Sequence, residues 1–267
     1  MRDDYVHGYS EREASRLHDQ ARTLAKLLHH DTRYPAGSEV LEAGCGVGAQ
    51  TISLAGNSPD AHITSVDISP DSIAEASKLL EGAGITNVDL VAADIFKPPF
   101  GEESFDHVFV CFLLEHLADP VAALRVLRGL LREGGTITVI EGDHGSAFFH
   151  PDSERARAAI QCLIDSQARL GGDALIGRRL FPLLSEVGFR DVSVSPRFVY
   201  ADASRPEMVE GFTRNTFTAM VEGARDTAVS MGLTGADAMD EGVRDLYRTA
   251  DVDGTFCYTF FKAVAKK

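Results

Sequence analysis

Apolar residues recur at helical spacing between Glu11 and Asp31, where Ala14, Leu17, Ala21, Leu24 and Leu28 make one stripe behind a capping box of Ser10 and Glu13. The spacing predicts an amphipathic helix. Beyond it, short apolar or β-branched runs alternate with helical stretches. Glu39 to Leu41, His62 to Val66, Val88 to Ala92, Asp106 to Phe112 and Thr136 to Ile140 read as strands. Ser69 and Pro70 open a helix whose buried stripe is Ile73, Ala76, Leu80 and Ala83, and Gly84 ends it. Asp119 and Pro120 open another, closed before Gly134 and Gly135. Strands alternating with helices imply a parallel sheet covered on both faces, in which ligands bind beyond the carboxyl ends of the strands.

The last third is less regular. A helical region spans Ala156 to Gly188 and a strand Val192 to Tyr200. Helices follow over about 206 to 250, and a closing strand runs from Thr255 to Ala265. Val209, Phe212, Met220, Val221, Ala224, Ala228 and Met231 recur near helical spacing, as do Val243, Leu246 and Tyr247. These helices read as a lid inserted between the last two strands.

Composition narrows the setting. Apolar residues make up 44% of the 267 and the mean hydropathy is -0.06, with no run near the roughly 20 apolar residues of a membrane helix. Met1 to Gln20 shows no secretory signal, so a cytoplasmic location is expected, without membrane attachment. Cys45, Cys111, Cys162 and Cys257 are too scattered for a disulfide framework or a zinc site. A net charge of -14 repels polyanions, which argues for a small-molecule partner over nucleic acid.

Candidate chemistry centres on Val40-Leu41-Glu42-Ala43-Gly44-Cys45-Gly46-Val47-Gly48, a strand entering a glycine turn before a helix. Gly44, Gly46 and Ala49 satisfy the relaxed dinucleotide fingerprint, with Asp67 near the position of a ribose-binding acid, so a nicotinamide-dependent oxidoreductase is one reading. Glu42 favours another. Two residues ahead of the first glycine, its carboxylate would repel a diphosphate and attract an ammonium or a sulfonium. Ala93-Asp94-Ile95 follows the third strand and offers an acceptor for an adenine amino group beside an apolar residue for the ring.

These segments resemble class I S-adenosylmethionine-dependent methyltransferases, in the small-molecule branch similar to the ubiquinone and menaquinone biosynthesis enzymes. The matching stretches are Leu41 to Gly48, Val66-Asp67-Ile68-Ser69, Ala93-Asp94-Ile95, Phe105-Asp106-His107-Val108 with Leu114-Glu115-His116-Leu117, and Leu131 to Thr136, in order across 38 to 142. The resemblance implies that Glu42 and Gly44, Cys45, Gly46 and Gly48 hold the methionine moiety, that Asp67 binds the ribose hydroxyls, and that Ile68, Asp94 and Ile95 line the adenine. Cys111 and Phe112 would pass behind the sulfonium, and Gln50 and Thr51 would meet the cofactor carboxylate. It also implies an α/β, Rossmann-like sheet of seven mostly parallel strands with helices on both faces, the last strand antiparallel, plus a helical lid.

A single domain over 1–267 is therefore expected. It would comprise an N-terminal cap segment and helix (1–33), a cofactor-binding core (38–142), a substrate-side segment with strand six (143–204), a lid (205–252) and the final strand (253–267). The expected function is methyl transfer from S-adenosylmethionine to a small acceptor, with an aromatic or heteroaromatic secondary metabolite favoured and an indole carbon one candidate; O- and N-methylation stay open. A monomer or homodimer is expected, and no metal. A cofactor-binding module without transfer activity is the third reading. Glu141-Gly142-Asp143-His144 follows the fifth strand, and His144 is the candidate proton acceptor with Asp143 orienting it. Tyr9, near Tyr5 and His7, is a candidate substrate contact. Phe148, Phe149, Phe212 and Phe217 are candidate apolar walls. His29-His30-Asp31 reads as a solvated helix end.

Overall fold

In the computed structural model, which describes residues 11–267 and side chains from Gln20 onward, the strands are β1 (Glu39–Ala43), β2 (His62–Asp67), β3 (Val88–Ala92), β4 (Phe105–Cys111), β5 (Leu131–His150), β6 (Arg190–Asp202) and β7 (Thr255–Lys266). They form one sheet in the order β3-β2-β1-β4-β5-β7-β6. β1 to β5 pair in parallel. β7 runs the other way: the Lys267 amide donates to the Gly135 carbonyl, whereas Thr259 lies opposite Ser146. The expected strand architecture, antiparallel last strand included, is present.

The helices are α1 (Glu11–His29), α2 (Thr51–Asn57), α3 (Pro70–Gly82), α4 (Pro120–Leu130), α5 (Glu154–Arg169), α6 (Leu180–Val187), α7 (Pro206–Met208), α8 (Ala219–Gly223), α9 (Arg225–Ser230) and α10 (Ala236–Arg248). Their ends follow local chemistry. The Ser69 hydroxyl accepts from the Ser72 amide at the start of α3, with Pro70 in the first turn and Gly84 left-handed beyond the end. The Asp119 carboxylate does the same for α4 by accepting from Ala122. Among the described residues no helix is long and apolar enough to cross a membrane, and all four cysteines are buried free thiols.

Three segments differ from the sequence expectation. The helical region of 156–188 breaks at Gly171-Gly172 into α5, a 3-10 turn (Ile176–Arg179) and α6. Between α7 and α8 the chain is π-helical over Val209–Thr218; residues five apart then share a face, which carries Phe212 and Phe217 into one aromatic cluster. β5 was expected to end at Ile140 and continues to His150, because its second half has a partner strand in β7. Asp143 and His144 consequently lie within a strand and not in a loop after it.

The chain divides into two compact units. One comprises Ala25–Glu141, Ile176–Pro196 and Phe261–Lys267, and holds the glycine turn. Its core includes Leu41, Val108, Val110, Leu124, Ile137, Val139, Leu180 and Leu184, all at most 2% exposed. Each contributes about 1.5–3 kcal/mol of burial. The other comprises, among the described residues, 11–24 with Gly142–Leu175 and Arg197–Phe260. It centres on Phe212, Phe217, Phe256, Tyr258 and Phe260, whose ring centroids lie 4.7–6.3 Å apart.

Candidate functional site

β1 leaves the sheet through three left-handed glycines, Gly44, Gly46 and Gly48, with φ of +76°, +53° and +81°. The Gly44 and Cys45 amides both donate to the Val66 carbonyl, at 2.8 and 3.0 Å, fastening the turn to the end of β2. A Cβ on Gly44 would stand 2.7 Å from Leu113 Cδ1, and one on Gly48 would stand 3.1 Å from the Ala76 Cβ. These two glycines serve close packing. At Gly46 a Cβ would meet nothing within 4 Å, so there the bare backbone faces open space that a ligand can approach. Cys45 packs inside, and burial pushes its thiol pKa up, which makes it inert as a nucleophile.

Two carboxylates are built into this turn. Asp67, at the end of β2, accepts the Gly46 amide on Oδ2 and the Ser69 amide on Oδ1, each at 2.9 Å. Glu42 is 2% exposed, and its Oε2 accepts the Thr51 hydroxyl at 2.7 Å and the Ser65 hydroxyl at 2.6 Å. Burial raises its pKa above the ordinary carboxylate value, and nearby Asp67 adds to the rise; the two hydroxyls oppose it. Among the described residues no cation pairs with it. Thr51 thus spends its hydroxyl proton on Glu42, whereas it was expected to meet a cofactor carboxylate; β1 and α2 converge closely enough to join the two side chains.

The strand ends beside the turn bring the other expected residues together. Ala93 donates its amide to the Asp67 carbonyl at 2.9 Å, which sets Asp94 and Ile95 next to β2. Asp94 Oδ1 accepts the Phe96 amide at 2.9 Å. Ile68 is 65% exposed, an unusual placement for isoleucine next to a buried turn. Cys111 ends β4, buried, and Phe112 turns left-handed with φ of +56°, a conformation costly for a side chain of that size.

Glu141, named in the candidate segment with His144 but given no role of its own there, holds that bend. Fully buried, it accepts the Leu113 amide at 3.1 Å and the Leu114 amide at 2.7 Å on Oε1. Leu113 is the side chain resting on Gly44. An acid ending an otherwise apolar strand was the available signal. Burial, with Glu115 nearby, drives the Glu141 pKa well up. Glu141→Leu would strand two amides and is expected to cost about 2–6 kcal/mol, from roughly 1–3 kcal/mol for each unsatisfied buried group. Glu141→Gln keeps an oxygen acceptor and should cost far less; urea denaturation of both variants measures the difference.

In the aromatic unit, His144 Nδ1 and the Tyr258 hydroxyl are 2.7 Å apart, with the two side chains 5% and 1% exposed. Successive strand residues face opposite sides of a sheet, so Gly142 shares the face of His144, and a Cβ on Gly142 would collide with the Tyr258 hydroxyl. Asp143 faces the other way, its Oδ1 accepting the Gly145 amide at 3.1 Å. Tyr258 is therefore the hydrogen-bond partner at Nδ1, in the position expected of Asp143. Phe212 and Phe217 are buried core, Phe149 is half-buried and Phe148 is exposed. Tyr9 lies outside the described residues. Contrary to the solvated helix end expected at 29–31, His29 is 2% exposed and bonded to Gln50, because only His30 of the adjacent pair faces outward.

The sheet order with its reversed last strand, the left-handed glycine turn after β1 and the acid at the end of β2 define the class I methyltransferase fold. Residues 41–139 match the family model described as a methyltransferase domain, and this segment is a class I S-adenosylmethionine-dependent methyltransferase domain. Among similar proteins, an uncharacterised 37.1 kDa protein of transposon TN4556 from Streptomyces fradiae is 32% identical over 208 residues, 77% of this chain; the chain spans 59% of that relative's length. Methyltransferase str2 from Strobilurus tenacellus is 27% identical over 274 residues, covering 98% of this chain and 96% of its own. Two solved structures share the fold. Phosphoethanolamine N-methyltransferase 2 from Haemonchus contortus, complexed with S-adenosylhomocysteine, has a TM-score of 0.57, 17% identity and coverage of 92% and 52% of the two chains. The [4+2]-cyclase SpnF has a TM-score of 0.56, 18% identity and coverage of 93% and 81%.

Proposed function

We propose that the protein transfers the methyl group of S-adenosylmethionine to a small organic acceptor, favouring an aromatic or heteroaromatic metabolite such as an indole. The observation that carries this reading is Glu42, a buried carboxylate that pairs with no cation among the described residues, beside a turn whose Gly46 backbone is open to a ligand. A dinucleotide diphosphate would add negative charge next to Glu42 and Asp67, so the oxidoreductase reading is disfavoured.

When bound, S-adenosylmethionine supplies a methyl group already activated on a sulfonium, and the sulfur leaves with the bonding pair as a neutral thioether. In this reading Glu42 faces the methionine ammonium. Asp67, held by the Gly46 and Ser69 amides, retains lone pairs for the ribose hydroxyls. Ile68 and Ile95 flank the adenine, Asp94 accepts from its amino group, and Phe112 is held in the β4 bend by Glu141. Much of the rate enhancement comes from positioning. The acceptor proton that must leave from a carbon or hydroxyl goes to His144: with Nδ1–H donating to the Tyr258 oxygen, Nε2 is the basic position. Tyr9 is assigned to the acceptor as well.

A labelled-methyl screen across indoles, phenols, quinones and amines, with the product position assigned by NMR, tests the proposal. Label is expected in an aromatic acceptor with stoichiometric S-adenosylhomocysteine. Absence of S-adenosylmethionine binding at millimolar concentration would overturn it.

A further inference from the structure

We infer that His29 is a positioning residue for the methyl donor: through its hydrogen bond to Gln50 it aims the Gln50 carboxamide at the carboxylate of the cofactor's methionine moiety. The inference rests on the proposed cofactor reading of the glycine turn and adds a residue to it. His29 Nε2 lies 2.7 Å from Gln50 Oε1. An amide oxygen can only accept, so the proton of the imidazole sits on Nε2. Nδ1 of the same ring is buried and has no hydrogen-bond partner among the described residues. Burial lowers the His29 pKa, in keeping with a neutral ring that carries one proton.

His29 is fixed through both its ring and its backbone. Its centroid lies 5.8 Å from that of Phe109 on β4. The His29 carbonyl accepts the Thr32 amide at 3.0 Å and the Asn57 side-chain amide at 2.8 Å. Gln50 immediately precedes α2 and Asn57 ends it, so one residue at the end of α1 grips α2 at both ends.

With Oε1 committed to His29, the NH2 end of the carboxamide is the part left to act. Among the described residues no protein group accepts from it, and Gln50 is half-buried two residues after Gly48. Two N–H donors held in one orientation beside the turn suit an anionic carboxylate. Without His29 the carboxamide can rotate or flip, and its donors are no longer pre-aimed. Thr51 cannot replace it, because its hydroxyl proton is given to Glu42.

The test compares S-adenosylhomocysteine, which carries the amino-acid group, with 5′-methylthioadenosine, which lacks it. Isothermal titration is run on the full chain for wild type, His29→Phe, His29→Gln, Gln50→Ala and the double variant His29→Phe/Gln50→Ala. The expected result is about tenfold weaker S-adenosylhomocysteine binding in His29→Phe and in Gln50→Ala, as for a lost hydrogen bond to a charged group, with 5′-methylthioadenosine changed less than about twofold. The double variant should be no weaker than Gln50→Ala, and His29→Gln, which restores an N–H donor, should recover part of the loss. Equal weakening toward both ligands, or additive losses in the double variant, would reduce His29 to a packing residue. Unchanged affinity in Gln50→Ala would overturn the role of the carboxamide, and with it that of His29. Failure of the wild type to bind S-adenosylhomocysteine would instead remove the cofactor reading beneath both. If His29→Phe does not fold, His29→Gln and Gln50→Ala still decide, through the ratio of the two affinities.

Discussion

Glutamine in place of Glu42 is expected to weaken S-adenosylmethionine binding by about a hundredfold or more, and to leave the unliganded protein as stable as before or more so. The two halves of this result share one cause. A carboxylate 2% exposed, held by two hydroxyls and near Asp67, is costly to keep ionised until a cation arrives. Removing it relieves the unliganded state and deprives the ammonium of its partner, a loss of about 2–5 kcal/mol for a desolvated charge pair. Calorimetry of binding and a thermal melt of the free protein measure the two halves separately. A matching loss in both would mean that Glu42 is structural.

The pH dependence follows from the sign of the shift. The Glu42 carboxyl titrates above its ordinary value of 4.5 in the folded protein, so the native state holds the proton after the unfolded chain has released it. Its contribution to stability is therefore present at low pH and is lost as pH climbs from the unfolded value through the folded one. Glu141 acts in the same direction. Cofactor affinity moves oppositely, strengthening with pH over that window as Glu42 ionises. Glu42→Gln should flatten the binding profile while leaving the Glu141 part of the stability profile in place.

The second large effect is expected at His144. Alanine there should lower kcat about a hundredfold or more, the usual contribution of a general base, while the Kd for S-adenosylmethionine stays within about twofold. Tyr258→Phe keeps the ring and removes the hydroxyl 2.7 Å from Nδ1; a smaller loss and a shifted alkaline or acid limb of the kcat profile should follow. His144 is buried among aromatic rings, so stability is measured in parallel. A well-folded His144→Ala enzyme with wild-type turnover would take the imidazole out of the mechanism.

Much of the architecture was legible in the chain because local rules and tertiary packing agree over 38–142. Alternating strands and helices, the Ser69 and Asp119 caps and the Gly44-Cys45-Gly46-Val47-Gly48 turn are each specified by neighbours in sequence. Glu42 stands out in the sequence because its charge, two residues from a bare-backbone turn, restricts what the turn can hold. Beyond Gly142 the local signal weakens. An apolar run does not reveal whether a partner strand will lengthen it, and helical spacing does not separate an α turn from a π turn.

What the sequence by itself determined is the order of elements, the parallel sheet and the acid-plus-glycine chemistry of the turn, since these depend on steric and charge rules acting within a few residues. Tertiary structure decided which partner each polar group meets. Thr51 turns to Glu42, Tyr258 to His144 across 114 positions, Glu141 to the bend at Leu113 and Leu114, and His29 to Gln50. Those choices come from desolvation: a buried donor or acceptor must find a complement wherever the fold brings one, and sequence distance carries no information about where that is.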